Sequence, residues 1–202
     1  MTEKTKIAVL VSGGGTNLQA LIDAQKSGII SSGEIKLVVS NNDGAYALQR
    51  AKNAGISYAV CSKKILGDEF EDTLIQILEE KGIEVIVLAG FMCILSEKFT
   101  SHFANRIINV HPSLIPSFCG KGFYGLRVHQ AALDYGVKVT GATVHFVNEI
   151  PDGGKIIMQK AVCIKEDDTP ETLQKRVMEE AEWKILPLSV EKVCKNLKGK
   201  GE

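Results

Sequence analysis

The feature that most constrains the fold of this chain is a regular alternation of short apolar runs with helix-like patterns. The apolar runs cover residues 6–11, 34–40, 56–61, 84–89 and 106–110. Between several of them, apolar side chains recur with helical spacing, as in residues 45–54 and 68–81. Alternating strands and helices form right-handed βαβ units. The sequence therefore predicts an α/β protein with a doubly wound, mostly parallel sheet.

Two longer runs near the carboxyl end depart from this pattern. Residues 137–147 and 155–164 are separated by the turn Asn148-Glu149-Ile150-Pro151-Asp152-Gly153-Gly154. Strands joined by so short a connection are antiparallel neighbours, so we expect a hairpin at the edge of the sheet. A last helix is predicted to start at Thr169-Pro170 and to be interrupted near Pro187. No linker or repeat divides the sequence, which predicts a single domain over residues 1–202.

The composition excludes several classes of protein. Lys plus Arg and Asp plus Glu both number 24, so no net field attracts nucleic acid or an anionic membrane. Five cysteines without a Cys-x-x-Cys pair favour free thiols in a reducing compartment over a disulfide framework or a zinc site. The amino terminus does not resemble a signal peptide, and the longest apolar run, residues 85–95, is shorter than the roughly 20 residues of a membrane span. We therefore expect a cytoplasmic protein without nucleic-acid or membrane partners.

A glycine-rich turn, Ser12-Gly-Gly-Gly-Thr-Asn17, follows the first predicted strand and leads into a helix. Free backbone N–H groups and the helix dipole make such a turn a ready anion site. It is not a Walker loop, since no Gly-Lys-Ser/Thr follows, and the third glycine of the dinucleotide fingerprint is replaced by Leu18. This motif alone is compatible with either a phosphate site or a plain tight turn.

Polar side chains also mark the end of the run at residues 106–110. Asn109 and His111 alternate with Val110, so both side chains point to one face of the strand. Pro112 holds His111 in an extended backbone. An amide beside an imidazole can donate to an oxyanion and move a proton, whereas the alternative is a capped strand end with a structural histidine. We expect His129 and His145 to be structural or peripheral.

Several loops are expected to meet at one edge of the predicted sheet. The glycine turn, the segment Gly90-Phe-Met-Cys-Ile-Leu95 and the pair Asn109 and His111 all follow the carboxyl ends of strands. Ligands of doubly wound sheets bind beyond those ends. The sequence therefore favours a binding cleft there, against ordinary loop packing.

Five segments together resemble the folate-dependent formyltransferases: Ser12-Gly-Gly-Gly-Thr-Asn-Leu-Gln-Ala, Ala89-Gly-Phe-Met, Asn109-Val-His-Pro-Ser-Leu-Ile-Pro, Gly141-Ala-Thr-Val-His-Phe-Val and Asp152-Gly-Gly. The resemblance spans nearly the whole chain, with the motifs in the family's order. It implies the Rossmann-like formyltransferase fold. It is strongest to the branch that formylates glycinamide ribonucleotide in de novo purine synthesis, and a cis Ile115–Pro116 bond is expected on the same ground.

The resemblance implies catalytic roles for Asn109, His111 and Asp152. The glycine amine of glycinamide ribonucleotide would attack the formyl carbon of 10-formyltetrahydrofolate, giving N-formylglycinamide ribonucleotide and tetrahydrofolate. Asn109 and a charged His111 would donate to the negative oxygen that forms. Asp152 would hold His111 charged through its other ring nitrogen and would order a water. No metal is implied.

Binding roles follow from the same resemblance. The ribonucleotide would be held by Gly14, Gly15, Thr16, Asn17, Gly90 and Glu182. The folate would contact Met92, Cys93, Ile94, Leu95, Asn109, Val147, Asn148, Glu149, Ile150 and Asp152. Cys93 is a departure, because relatives often carry arginine there; Lys63 and Lys64 are the candidates to replace its contact with the folate glutamate. The predicted partners are thus two small molecules, and the state is a monomer or a homodimer.

Three alternatives remain open at this point. Methionyl-tRNA formyltransferase carries an additional carboxyl-terminal domain, and formyltetrahydrofolate deformylase carries an additional amino-terminal one; we expect neither. A non-catalytic folate or nucleotide-binding module would be indicated by loss of Asn109, His111 or Asp152, and all three residues are present.

Overall fold

A computed structural model describes residues 3–199 and shows one seven-stranded sheet with the strand order β3-β2-β1-β4-β5-β6-β7. The strands are β1 (Thr5–Val11), β2 (Gly33–Ser40), β3 (Ser57–Val60), β4 (Val85–Leu88), β5 (Ile107–His111), β6 (Val139–Phe146) and β7 (Ile156–Cys163). The pairs among β1 to β5 are parallel, while β6 and β7 pair antiparallel. The doubly wound sheet and its antiparallel edge hairpin are therefore confirmed.

Helices cover both faces of this sheet. They are α1 (Thr16–Lys26), α2 (Tyr46–Asn53), α3 (Lys63–Leu66), α4 (Phe70–Glu80), α5 (Glu97–His102), α6 (Leu126–Tyr135), α7 (Pro170–Val177) and α8 (Trp183–Lys198). Strand β1 shows why the layers form, because Ile7 and Val9 face a core shared with α1, α7 and α8. The alternate residues Ala8 and Leu10 face a second core with α4 and α5. A strand buried on both faces must be apolar throughout, which explains the continuous apolar runs.

The helix ends follow local capping chemistry. The Ser96 hydroxyl accepts from Phe99 N–H at the start of α5, and Thr169 forms a capping box with Thr172 ahead of Pro170 in α7. The start of α7 at Thr169-Pro170 is the one that the sequence analysis predicts.

The predicted interruption near Pro187 is wrong in position. Pro187 lies inside α8, and the irregular stretch is a π-helical turn, Met178–Glu182, between α7 and α8. A proline removes the N–H that would bond the carbonyl four residues earlier. For Pro187 that carbonyl belongs to Trp183, the first residue of α8, so the helix tolerates the proline at this point.

The polar loops collect at the carboxyl ends of β1, β4 and β5. The segment after β5 turns back through the predicted cis Ile115–Pro116 bond, which is present. The turn between β6 and β7 starts with Val147 N–H donating to the Ile107 carbonyl. Among residues 3–199, no helix has the length and apolar character needed to cross a membrane.

Candidate active site

Strand β5 presents Asn109 and His111 on the same face, as predicted from the alternation of side chains. The register of the β5–β6 pair places His145 opposite Asn109 and Thr143 opposite His111. Asp152 reaches this face from the β6–β7 turn in a left-handed backbone conformation with φ 57°. Its Oδ2 atom lies 3.5 Å from Nδ1 of His111. The structure thus brings the three predicted catalytic residues together.

The surroundings of Asp152 favour its ionised form. Burial raises the pKa of this carboxyl, but a hydrogen bond with His145, the charge of His111 and the Gly120 N–H outweigh burial and lower it below its usual value. The Gly120 N–H donates to Oδ2 over 2.8 Å. Asp152 is therefore a carboxylate at neutral pH and lies within reach of two imidazoles.

His145 is one of those imidazoles; it was expected to be structural or peripheral, and its contacts are those of a structural residue beside the site. Its Nδ1 donates to the Phe146 carbonyl over 2.8 Å. Its Nε2 lies 3.3 Å from Nδ2 of Asn109 and 3.5 Å from Oδ1 of Asp152. Strand alternation predicted the face of His145, but its neighbour Asn109 is set by the register between β5 and β6. His145 therefore buttresses both the amide and the carboxylate.

His129, on α6, is structural, as expected. Within the described residues neither of its ring nitrogens has a hydrogen-bond partner. Burial, with a smaller repulsion from the charge of His111, lowers the pKa of His129 to about 4. The ring is therefore neutral at physiological pH.

The ring of His111 is held differently from the expected arrangement. Only 4% of the residue is exposed, and Nε2 lies 2.9 Å from the carbonyl oxygen of Phe118. We expected one ring nitrogen to face the carboxylate and the other to face the oxyanion. Instead the Phe118 carbonyl occupies Nε2, which leaves Nδ1 as the nitrogen directed toward Asp152 and the cleft.

Two adjoining cavities of about 130 and 510 Å³ form the cleft beside these residues. Asn109 and Asp152 line both cavities, and His111 lines the larger. Gly90 and all the residues assigned to the folate by resemblance lie on these walls. Besides Asn109 and Asp152, the folate residues are Met92, Cys93, Ile94, Leu95, Val147, Asn148, Glu149 and Ile150. The cleft predicted from strand ends is therefore present.

Cys93 lines both cavities, and Lys121 places a cation on the wall of the larger one. The Asn41 Nδ2 atom donates to the Cys93 sulfur over 3.0 Å. Lys63 and Lys64 are exposed on α3 and are absent from the described walls of both cavities. The geometry thus gives no support to either lysine as the replacement for an arginine at position 93.

The glycine turn forms the start of α1. Gly15 has φ 71°, and none of the described side chains caps this helix end, so its first N–H groups remain available. A Cβ on Gly15 would lie 2.7 Å from the Cβ of Ala47, which explains the glycine. The Ser12 hydroxyl accepts from Met92 N–H over 2.8 Å and joins this turn to the cleft.

Arg50 adds a cation to the glycine turn, and sequence reasoning missed it. Its Nε donates to the Gly14 carbonyl over 2.8 Å, and Nη1 donates to Gln19 over 3.1 Å. The guanidinium stacks over Tyr46 with 5.0 Å to the ring centroid. Its place on α2 resembles any exposed helix position, so the sequence carried no signal for this contact.

Glu182 lies on the other side of the same turn. Nδ2 of Asn17 donates to Oε2 of Glu182 over 2.7 Å, and the glutamate is only 6% exposed. Burial raises the pKa of this carboxyl to about 7, although the Asn17 hydrogen bond opposes the shift. In the described residues Oδ1 of Asn17 is buried without a partner. This end of the site therefore has an acceptor ready for a hydroxyl donor.

We predict that Glu182 makes the free energy of unfolding depend on pH. Its pKa is about 7 in the fold against an ordinary value near 4.5, so its contribution is complete below about pH 4.5 and is lost as pH rises through about 7. Glu182→Gln cannot ionise and should avoid that loss, which amounts to roughly 3 kcal/mol. Urea unfolding at pH 5 and pH 8 measures the difference. The exposed neighbour Glu180 supplies the control Glu180→Gln, and equal pH dependence in all three proteins would contradict the assignment.

Comparisons with known proteins agree with this arrangement. A sequence model of the formyl transferase family matches residues 5–190. The chain is 45% identical to phosphoribosylglycinamide formyltransferase of Haemophilus influenzae, over 92% of this chain and 85% of that protein. It is 46% identical to the trifunctional purine biosynthetic protein adenosine-3 of Gallus gallus, of which it spans 20% of the length.

The fold shows the same relationship. The crystal structure of glycinamide ribonucleotide transformylase 1 from Symbiobacterium toebii superimposes with a TM-score of 0.90 at 37% identity, over 97% of this chain and 90% of that one. Within residues 3–199, no group of three or more His, Cys, Asp or Glu side chains could hold a metal ion. The site geometry, the family match and the fold agree, and the chain belongs to the phosphoribosylglycinamide formyltransferase family.

Proposed function

We propose that this chain transfers the formyl group of 10-formyltetrahydrofolate to the glycine amine of glycinamide ribonucleotide, in de novo purine synthesis. The observation that carries the proposal is the meeting of an amide, an imidazole and a carboxylate on the wall of the larger cavity, where it adjoins the smaller one. Asn109 and Asp152 line both cavities, so they face a reacting centre between a donor and an acceptor molecule. The relatives' names supply the acceptor and the group transferred, and the family resemblance supplies the folate donor.

The walls of the smaller cavity suit a folate ring system. Leu88, Leu95 and Val147 supply apolar surface, and the turn carrying Asn148 and Glu149 supplies backbone donors and acceptors. Such mixed walls are typical of sites for small aromatic molecules. When bound, 10-formyltetrahydrofolate supplies the activated formyl group. On this proposal the 147–152 turn and the 92–95 segment enclose the pterin.

The residues of this chain then have distinct roles. Asn109 donates from its amide to the oxygen that becomes negative as the amine attacks. His111 donates through Nδ1, because Phe118 occupies Nε2. The Asp152 carboxylate pairs with the imidazole and, through a water, takes the proton that the attacking amine loses. That proton then passes to the folate nitrogen as its bond to the formyl carbon breaks. Together the three groups move protons without a covalent enzyme intermediate.

The acceptor's phosphate is proposed to lie on the glycine turn. The free N–H groups of Thr16 and Asn17 and the dipole of α1 favour an anion there, and Arg50 adds a positive charge beside Gly14. Glu182 accepts from the ribose hydroxyls next to this phosphate. Gly90 lines the larger cavity together with His111.

Absorbance of a 10-formylfolate substrate, measured with and without glycinamide ribonucleotide, tests the proposed function. Loss of the formyl group only when the amine is present supports a transferase. Loss without the amine would indicate a hydrolase, and no loss under either condition would indicate a binding module. Either of the last two results would overturn the proposal.

Gly15→Ala tests the phosphate assignment. The new Cβ would contact Ala47 at 2.7 Å in a left-handed backbone, so the turn must shift and its N–H groups must turn away. We expect the KM for the ribonucleotide to rise by at least about tenfold, the value of one lost charge-assisted hydrogen bond, with the folate KM unchanged. Gly13→Ala is the matched control, because its Cβ meets no atom within 4 Å. A rise in the folate KM alone would contradict the assignment.

A further inference from the structure

The loop over residues 112–125, which follows β5, contacts both members of the His111–Asp152 pair through its backbone. The Phe118 carbonyl faces Nε2 of His111 at 2.9 Å. Two residues later, Gly120 N–H donates to Oδ2 of Asp152 at 2.8 Å. That oxygen is the one that lies 3.5 Å from Nδ1 of His111. A single short segment therefore fixes the positions of the imidazole and of its carboxylate.

The contact at Nε2 also determines where the imidazole carries its proton. A carbonyl oxygen only accepts, so Nε2 must donate to Phe118. A neutral ring then has its lone pair on Nδ1, facing the Asp152 carboxylate, and only the charged ring donates at both nitrogens. Because His111 is buried, water competes weakly for either contact. The contact therefore assigns the proton of the neutral ring to Nε2 and leaves Nδ1 facing Asp152.

Phe118 adopts a backbone conformation that its side chain normally disfavours. Its φ is 49°, in the left-handed region where residues other than glycine are uncommon. Such a conformation persists when surrounding contacts impose it. Here the Phe118 ring packs edge-on against Phe123, with centroids 6.4 Å apart, and against Tyr135 of α6, at 6.0 Å. The two aromatic contacts hold the residue in the conformation that turns its carbonyl toward His111.

We propose that Phe118 is a positioning residue for formyl transfer: its carbonyl fixes the proton of His111 on Nε2, so that Nδ1 serves Asp152 and the reacting centre. The inference rests on the proposed function. The residue acts through a backbone atom, and its ring contributes by holding the backbone in place. No substrate contact by Phe118 is required.

An amide-to-ester exchange tests the carbonyl itself. Lactic acid at position 119 replaces the Phe118–Cys119 amide with an ester, whose carbonyl is a weaker acceptor, and Cys119→Ala is the matched amide protein. We expect kcat to fall roughly tenfold, as for weakening a hydrogen bond to a charged group, with both KM values within about twofold. In ¹⁵N spectra of the neutral His111 ring, the ester-containing protein should show a smaller fraction of the Nε2–H tautomer than the amide protein does.

Ring signals equal to those of Cys119→Ala would overturn the proposal, whether or not kcat changes. If Cys119→Ala itself transfers no formyl group, the proposed function fails, while the ring signals, which need no substrate, still decide the role of Phe118.

Side-chain variants provide a second test. Phe118→Ala should lower kcat and populate both neutral tautomers of the His111 ring. Phe118→Tyr should keep the wild-type kcat and the wild-type tautomer. A fall in melting temperature of Phe118→Ala without a change in kcat or in the ring signals would make Phe118 a structural residue only, and would overturn the proposal.

Discussion

Replacing Asp152 with asparagine is expected to lower kcat by about 10²- to 10⁴-fold at pH 7–8, the usual range for losing a proton-transfer group. The amide keeps the shape of the carboxylate, so both substrates should still bind. It cannot favour the charged form of His111, whose Nδ1 lies 3.5 Å from Oδ2, nor can it accept a proton. Steady-state kinetics with both substrates varied measures the effect.

The pH dependence of this variant gives a sharper test. Acid supplies the charge on His111 that the missing carboxylate no longer favours, so the ratio of wild-type to variant kcat should shrink between pH 8 and pH 6. A ratio is needed because the substrate amine also protonates. The exposed carboxylate of Asp134, on α6, gives the control Asp134→Asn. If the ring signals of His111 respond to pH identically in Asp152→Asn and wild type, Asp152 is not its electrostatic partner.

Gly154→Ala is expected to remove most of the activity and to destabilise the fold. A Cβ at this position would overlap the carbonyl of Phe146, and the adjacent Lys155 carbonyl pairs with Phe146 N–H over 2.9 Å. Overpacking of this kind costs about 1–3 kcal/mol, which corresponds to a fall in Tm of roughly 2–12 °C for a chain of this size. Differential scanning calorimetry and kcat measure the two effects.

In this variant we expect kcat to fall by more than the loss of folded protein explains. The end of the strand moves, and Asp152 moves with it. Gly44→Ala is the control, since the nearest atom to its Cβ is Asn42 Oδ1 at an ordinary 3.6 Å. Full activity in Gly154→Ala would show that the position of Asp152 does not depend on the tight turn.

Much of the fold followed from the sequence because the signals are local. The buried parallel strands are predominantly apolar, as β1 is from Ile7 to Val11 and β4 is along its whole length. Residues such as Ser96 mark helix starts by their own hydrogen bonds. Alternation along β5 also placed Asn109 and His111 on one face. Family resemblance then supplied Asp152, which by residue type alone is an ordinary turn residue.

What the sequence did not predict depends on distant parts of the chain. The partnership of His145 with Asn109 follows from the register of β5 with β6, and the contact of Arg50 with Gly14 follows from the packing of α2 against the glycine turn. The Phe118 carbonyl is a backbone atom, which every residue type carries. Residue identity therefore contains no signal for it.

The β6–β7 turn links donor recognition to chemistry within one covalent segment. Val147 to Ile150 line the smaller cavity, and only Pro151 separates them from Asp152. Under the proposed function, a substitution on this wall that weakens binding of a toxic folate analogue also shifts the Asp152 carboxylate. Resistance that arises there is therefore accompanied by a lower kcat. Another wall of the smaller cavity, formed by Cys93, Ile94 and Leu95, belongs to a different loop. Resistance that preserves growth is therefore expected to arise on that wall.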